Sequence, residues 1–443
     1  MNIGIIGTGY VGLVQGVVLS DFGLKVMCMD VSDEKIDMLK KCETPIYEPG
    51  LQYLLEKNIK MNRLKFTTDV KEMVNNSNVI FIAVGTPSQE DGSADLHYVL
   101  DAAKSIAENM SEYKVIVTKS TVPVGTGKII KEVVSQILKD NNKKIDFDVA
   151  SNPEFLREGR AVNDCSNPDR IVIGTESEKA EKILCNIYGM FNINQPPIVT
   201  TSIETAEMIK YASNAFLSVK ISFINEMALL AEKVGADIQV IARAMGMDGR
   251  ISPKFLHAGP GYGGSCFPKD TRAIVDIAKK YGEDMLVINA AIKANEKQKN
   301  KMIEKIITNI SVKNSLEGKT IGVLGLSFKP DTDDMREAPS IDIINGLIKS
   351  GAKIQAYCPQ GMKEAKWRLK DIEKNIKYMN DEYEVAKDAD AIVLITEWTQ
   401  FRALDLNILK NNMNDNYFFD LRNVYAKRKE EMNKMFKYFG VGV

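Results

Sequence analysis

An apolar strand that runs without a break into a glycine-spaced turn leaves the start of this chain few folds to adopt. Residues 2–6 (NIGII) lead into GTGYVG at 7–12 and then into an apolar helical pattern. Gly7 and Gly9 allow a tight turn and the close approach of a pyrophosphate, and Gly12 lets the helix pack against the strand. Tyr10 and Val11 lie between them at the helix start, where peptide N–H groups face the phosphates. Asp30 ends the next apolar run, 18 residues beyond Gly12. A carboxylate there accepts from ribose hydroxyls and repels a 2′-phosphate, which predicts a dinucleotide site that prefers NAD to NADP. Lys35 blurs that preference slightly. A turn residue at a strand end is the plain alternative for Asp30.

Further apolar runs at 25–30, 79–84, 114–119 and 148–151 alternate with helical patterns, the order of βαβ units and a parallel sheet covered on both faces. A chain of 443 residues exceeds what one core usually organises. The expected architecture is therefore α/β, with two Rossmann-like doubly wound domains joined by a long central helix. The first, 1–195, binds NAD. A connector and dimerisation region follows at 196–310, where residues 202–231 carry no Pro or Gly, with Ser202, Thr205 and Glu207 near the helix start. Thirty helical residues span about 45 Å. The second α/β domain, 311–443, has runs at 319–329, 353–359, 391–397 and 417–423 and a helix starting near Pro339. It lacks a full GxGxxG, having only Gly322 and Gly325, so a second NAD is not expected there.

Lys plus Arg number 58 against 59 Asp plus Glu, so no global field argues for nucleic acid or an acidic membrane. No apolar run approaches the roughly 20 residues that span a bilayer, and the chain enters its first strand without a basic leader, so a cytoplasmic protein is expected. Six scattered cysteines without CxxC spacing fit a reducing compartment and no metal site. With only His97 and His257 available, acid and base work falls mainly to Lys, Asp, Glu or water.

One of the six cysteines stands apart. In GPGYGGSCFPKD at 259–270, four glycines in six residues precede Cys266 by a short step. Such a loop can turn backbone N–H groups toward an anion or a developing oxyanion. Lys269 favours a thiolate if its ammonium lies close, and Asp270 adds a carboxylate. Taken alone, a cysteine after a glycine loop is more often a small buried residue.

GYGGSCFPKD, GTGYVG, PIYEPGL at 45–51, VGTP at 84–87, STVPVG at 120–125 and NPEFLREG at 152–159 together resemble the UDP-glucose/GDP-mannose dehydrogenase family, in order and over essentially the whole chain. The likeness leans toward its UDP-glucose 6-dehydrogenases. It implies two successive hydride transfers to NAD, taking the C6 alcohol of UDP-glucose to a carboxylate through a thiohemiacetal and a thioester on Cys266. A thiol suits this, because the aldehyde must be held covalently before its second oxidation.

The resemblance further implies that Glu154 acts on water or substrate during hydrolysis, with Phe155 and Leu156 beside it, and that Glu158 lies near the nicotinamide ribose. Lys210 and Asn214, one helical turn apart, would contact substrate and the oxyanion at C6, with Asp270 near the lysine. Thr86 and Thr121 match cofactor contacts, Thr121 also lying near the reacting hydroxyl, and Lys269 matches a cofactor-side lysine. Phe255, Leu256, His257, Ala258, Gly259, Gly263 and Lys329 match the nucleotide-sugar cradle, with no catalytic role for His257. Arg336 matches a cofactor contact, Arg422 a further substrate contact, and Arg250 a residue that reaches across a homodimer interface to the sugar.

Without the resemblance, Lys210, Lys329 and Arg336 read as solvated charges and Glu154 as part of a helix entry. Cys358 departs from the pattern, standing in YCP where relatives carry YDP. Two other readings remain at this point. One is a sister dehydrogenase of GDP-mannose or an N-acetylated UDP-hexosamine; the other is a noncatalytic nucleotide-sugar-binding protein.

Overall fold

In a computed structural model, which describes residues 1–191, 196–311 and 315–443, the chain forms two compact α/β units. The first comprises Met1–Ser213 and Arg272–Glu283, the second Asn214–Thr271 and Asp284–Val443. The boundary expected at residue 195 falls outside the described residues. Helix Ile203–Val234, 32 residues long, begins in the first unit and ends in the second. Its start is set by Ser202, whose hydroxyl accepts from Thr205 N at 3.2 Å, as an N-cap does.

The first unit is built on strands β1 (Asn2–Ile6), β2 (Lys25–Met29), β3 (Leu64–Thr67), β4 (Val79–Ile82), β5 (Lys114–Thr118), β6 (Phe147–Ser151), β7 (Ile171–Thr175) and β8 (Ile198–Thr201). Their order is β3-β2-β1-β4-β5-β6-β7-β8, parallel except where β6 meets β7. Alternate residues serve opposite faces: Ile3, Ile5, Val79, Phe81, Val115 and Val117 lie in one buried cluster, while Ile6, Ile80, Ile82 and Ile116 lie in another. Two covered faces make a doubly wound sheet, and strands buried on both sides read as continuous apolar runs rather than alternation. The order reverses between β1 and β4, which opens a crevice at their C-terminal ends.

The second unit repeats the plan with β9 (Thr320–Leu324), β10 (Lys353–Tyr357), β11 (Ile376–Tyr378), β12 (Ala391–Leu394), β13 (Tyr417–Asp420) and β14 (Lys437–Phe439), all parallel, in the order β11-β10-β9-β12-β13-β14. The apolar runs seen in the sequence overshoot most of these strands at their C-terminal ends, and the overshoot is the start of the loops that carry the candidate site. The sequence pattern did not mark β3, β7, β8, β11 or β14. Apart from β7, these are edge or near-edge strands of three or four residues, too short to establish a period.

Candidate active site

The glycine turn after β1 is shaped as a phosphate cradle. Gly7 has φ +101°, and a Cβ there would lie 2.6 Å from Ala83 O. At Gly12 a Cβ would lie 2.0 Å from Gly7 O, so the helix can close on the strand only through glycine. Gly9 meets nothing within 4 Å, so its side is open, and no side chain caps helix Tyr10–Asp21 that follows it. That is the arrangement a pyrophosphate needs: open ground before an uncapped helix N-terminus.

Asp30, just past β2, accepts from both the backbone N–H and the hydroxyl of Thr8 at 2.8 Å through Oδ2, and from Ser32 N at 3.1 Å through Oδ1. Burial works to raise its pKa, but the Thr8 and Ser32 donors, with Lys35 3.9 Å away, hold the carboxyl below its ordinary value. The carboxylate is thus fixed and charged beside the turn. The residues fit a dinucleotide with free ribose hydroxyls. Thr86, after β4, donates its hydroxyl to Thr121 O at 2.9 Å, and Ser120 donates to Val84 O at 2.6 Å, so the two loops flanking the crevice are laced together.

NPEFLREG leaves the end of β6. Glu154 is buried, its Oε1 accepting from the buried Lys210 Nζ at 2.8 Å and its Oε2 from Leu156 N. Burial raises this carboxyl, but the Lys210 charge and hydrogen bond, Leu156 N–H and the charge of Lys119 outweigh it, leaving Glu154 ionised. Phe155 is stacked under Arg170, whose guanidinium carbon is 3.5 Å from the ring centroid. Leu156 packs against the core cluster on one face of the sheet. Glu158 precedes Gly159, whose N–H donates to Glu48 at 2.6 Å and to the Tyr10 hydroxyl at 2.9 Å. The Tyr10 hydroxyl in turn donates to Glu48. Glu48, from PIYEPGL, therefore ties the glycine turn to the Glu154–Glu158 loop. Glu207, on the long helix, accepts from Gly125 N at 2.6 Å and Gly127 N at 2.8 Å and so anchors that helix to the loop carrying Thr121.

In the second unit Cys266 is partly exposed, directly before helix Phe267–Lys280, and its carbonyl accepts from Asp270 N at 2.8 Å. A sulfur at a helix N-terminus feels the positive end of the dipole, which favours the thiolate. The expected help from Lys269 takes a different form: its ammonium is bonded to Asp270 Oδ1 at 2.5 Å. The other oxygen of the fully buried Asp270 accepts from Asn214 Nδ2 at 2.6 Å. Asn214 and Lys269 thus hold Asp270 as a fixed carboxylate four residues beyond the sulfur.

The glycine loop corrects a second expectation. Its N–H groups are not all presented to a ligand: Gly259 N donates to Asn225 Oδ1 at 2.8 Å, Tyr262 N to Asn295 Oδ1 at 2.8 Å and Gly264 N to Arg336 O at 2.8 Å. Gln298 also donates to Gly259 O at 2.7 Å. The glycines serve close packing instead, since a Cβ at Gly263 would lie 2.3 Å from Glu337 O and one at Gly264, where φ is +86°, 2.8 Å from the Phe328 ring. Asn225, Asn295 and Gln298 carry no motif. Their only sequence signal is a polar residue on the inner side of an apolar helix stripe.

These contacts bring much of the expected cradle together. The segment after β9 that holds Lys329 and Arg336 lies against Gly263 and Gly264. Arg422 donates to Phe328 O at 3.2 Å and Ile395 O at 3.1 Å and pairs with Glu397 at 3.1 Å, its Nη1 3.0 Å from where a Gly259 Cβ would be. Leu256 and Ala258 face the core, His257 is exposed, and Phe255, at φ +65°, packs edge-on to Phe267 with centroids 6.0 Å apart. Lys329 Nζ lies 5.3 Å from the Phe328 ring centroid, and Arg336 forks onto Asp334 at 2.8 and 2.9 Å. Arg250 stands apart on the surface, its side chain 90% exposed and paired with Asp248 at 2.6 Å. Cys358 is a buried packing residue beside Ser327. Among the described residues, no group of His, Cys, Asp and Glu is arranged to hold a metal, and no helix is long and apolar enough to cross a membrane.

Comparison with known proteins agrees with this geometry. Profiles of the UDP-glucose/GDP-mannose dehydrogenase family match the chain at 1–192 (NAD binding domain), 204–297 (central domain) and 322–427 (UDP binding domain). A UDP-glucose 6-dehydrogenase of Rhizobium meliloti (strain 1021) is 48% identical over all of this chain and 99% of its own length. UDP-glucose 6-dehydrogenase TuaD of Bacillus subtilis (strain 168) is 47% identical over 96% of this chain and 90% of its own. The solved structure of a UDP-glucose dehydrogenase from the hyperthermophilic archaeon Pyrobaculum islandicum superimposes with TM-score 0.89 at 35% identity, covering all of this chain and 97% of that one. With an open glycine cradle beside a charged Asp30 in one unit, a cysteine at a helix start beside a braced carboxylate in the other, and relatives matched end to end, the chain belongs to the UDP-glucose/GDP-mannose dehydrogenase family.

Proposed function

We propose that this chain oxidises the C6 alcohol of UDP-glucose to the carboxylate of UDP-glucuronate, reducing two NAD per sugar, with Cys266 carrying the intermediate. The observation that carries the reading is Cys266 at the start of helix Phe267–Lys280 with Asp270 braced by Asn214 and Lys269, in a chain that also holds an intact dinucleotide cradle. Binding alone needs neither a nucleophile nor a fixed carboxylate. NAD, when bound at Gly7, Gly9, Tyr10, Val11, Gly12 and Asp30, with Lys35, Thr86, Thr121, Glu158, Lys269 and Arg336 as further contacts, supplies the hydride acceptor for both oxidations.

The protein groups then divide the remaining work. Cys266 sulfur adds as a thiolate to the aldehyde carbon, whose oxygen takes up a proton, and the resulting thiohemiacetal becomes a thioester when the second oxidation removes its C6 hydride and hydroxyl proton. Lys210, Asn214 and Thr121 donate hydrogen bonds to the C6 oxygen, and Lys210 and Asp270 exchange its proton. Glu154, kept ionised by Lys210, takes a proton from the water that cleaves the thioester. Phe155, Leu156, Phe255, Leu256, His257, Ala258, Gly259, Gly263, Lys329 and Arg422 line the nucleotide sugar.

On this reading residues 1–195 bind NAD, 196–310 connect and dimerise, and 311–443 bind the UDP-sugar. A homodimer is supported by Phe216, Phe223 and Leu230, spaced at seven residues on helix Ile203–Val234 and 64%, 45% and 51% exposed. An apolar stripe of that kind calls for a partner, and a second copy carrying Arg250 to the sugar supplies one. A cytoplasmic setting is supported by six cysteines that form no disulfide, one of which must stay reduced to act.

The test compares NADH formed with UDP-glucose, GDP-mannose and UDP-N-acetylmannosamine. UDP-glucose should yield two NADH per sugar consumed, and Cys266→Ser should still bind UDP-glucose while losing acid formation by about a thousandfold. One NADH per sugar, or full turnover by the serine variant, sinks the covalent four-electron reading; activity only with another nucleotide sugar moves the chain to a sister enzyme.

A further inference from the structure

The first unit contains a polar cavity of about 160 Å³, with exposed Arg157 and Asp169 at its rim and buried Gln15, Lys119, Asn152 and Glu154 on its floor. Exposed and buried residues, Glu154 among them, share its lining, and its volume is enough for several water molecules at about 30 Å³ each.

Two of the floor residues are poor choices for stability alone. Lys119 is 6% exposed, yet its ammonium has only neutral partners among the described residues: Asn152 Oδ1 at 3.0 Å and the Tyr188 hydroxyl at 3.4 Å. A buried charge without an ionic partner destabilises a fold. Burial lowers this ammonium to about 8, the nearby Cys165 and Glu154 notwithstanding. Gln15 is 2% exposed, and its amide nitrogen has no hydrogen-bond partner. An unsatisfied buried donor is also costly. Apolar side chains of similar size would suit the core better at both positions. What the two share is a place in the lining of a cavity that Glu154 also lines, and buried polar groups kept at a cost to stability mark functional sites.

We propose that this cavity is a water-binding and proton-release site for the hydrolytic half of the reaction, with Lys119 the positioning residue that orders its water. The inference rests on the thioester reading above. In the step it serves, the water oxygen bonds to the C6 carbonyl carbon and the C6–sulfur bond breaks with its electron pair going to Cys266. One water proton ends on the thiol; the other passes through Glu154 and the cavity to solvent, and no electron is transferred.

Rapid-quench turnover of the unaltered enzyme and of Lys119→Met tests this, following NADH and the mass of the Cys266 peptide. Expected are a first-turnover NADH rate within about twofold of the unaltered enzyme, hydrolysis slowed about tenfold or more with the sugar adduct accumulating on Cys266, and a raised melting temperature. A purely structural lysine would move stability without trapping the adduct. Unchanged hydrolysis in the folded variant overturns the inference. If Lys119→Met does not fold, Gln15→Met is measured in the same way: adduct accumulation supports the site and an unchanged hydrolysis rate overturns it. Failure of the unaltered chain to form NADH from UDP-glucose overturns the preceding reading, and this one with it; NADH formation with hydrolysis unaffected overturns this one alone.

Discussion

On the proposed reading, cofactor choice falls to a single carboxylate, Asp30. Thr8 engages one of its oxygens twice and Ser32 N the other, so the group is already oriented and charged before any ribose arrives. Its position was legible because spacing from the glycine turn is a local property of a βαβ unit. Asp30→Ala should raise the KM for NAD about tenfold or more, the loss of one or two charge-assisted hydrogen bonds, and narrow the preference over NADP. Steady-state kinetics with both cofactors measure it, and an undiminished preference would mean that another group selects NAD. Lys119 stands at the opposite extreme. It was read only as the last residue of an apolar run, because nothing local says that its ammonium is buried with neutral hydrogen-bond partners.

At the scale of elements, two long-range ties within the first unit are made by glutamate side chains on backbone N–H groups: Glu48 on Gly159 and Val162, and Glu207 on Gly125 and Gly127. Burial pushes Glu207 up to about 7 against the pull of those two donors, with Glu204 adding repulsion. Its folded pKa thus exceeds its ordinary value of 4.5, so the folded state holds the proton more tightly than the unfolded chain does. The resulting stability is full below about pH 4.5 and is lost as pH rises through 7, a change of at most about 3 kcal/mol. Denaturant midpoints at pH 5 and pH 8 should therefore differ less in Glu207→Gln than in the unaltered chain; an equal difference would place the titration elsewhere. The sequence marked Glu207 only as part of a helix start, since a helix pattern identifies the buried face and not the loop it meets.

At the scale of the whole molecule, the six strands of the second sheet follow the order of the first six strands of the eight-stranded one, yet only the first sheet keeps a complete glycine turn. The second has Gly325 at φ +88°, where a Cβ would meet Thr396 at 2.5 Å. The proposed dimer gives Arg250 its work in trans. Arg250→Ala and Cys266→Ser, each inactive alone, should recover about a quarter of the unaltered activity when dissociated and reassembled in equal amounts, because half the dimers then carry one complete site of two. No recovery on mixing, with hybrid dimers demonstrated by native mass spectrometry, would confine Arg250 to its own protomer.

What the amino-acid sequence determined by itself is whatever depends on neighbours along the chain. That includes the strand–glycine–helix start, Asp30, the long glycine-free helix, the central strands buried on both faces, and Cys266 just past a glycine loop. Backbone freedom and hydrophobic period act over a few residues and leave a readable mark. The tertiary structure alone decided that Lys269 braces Asp270 and that Asn225, Asn295 and Gln298 hold the glycine loop. It likewise decided that Glu48 joins Tyr10 to Gly159 and that Lys119 lines a cavity with Glu154. Partners such as Glu48 and Gly159 lie 111 residues apart, and buried polar groups find them through the path of the fold, where a donor left without an acceptor costs more than any local preference.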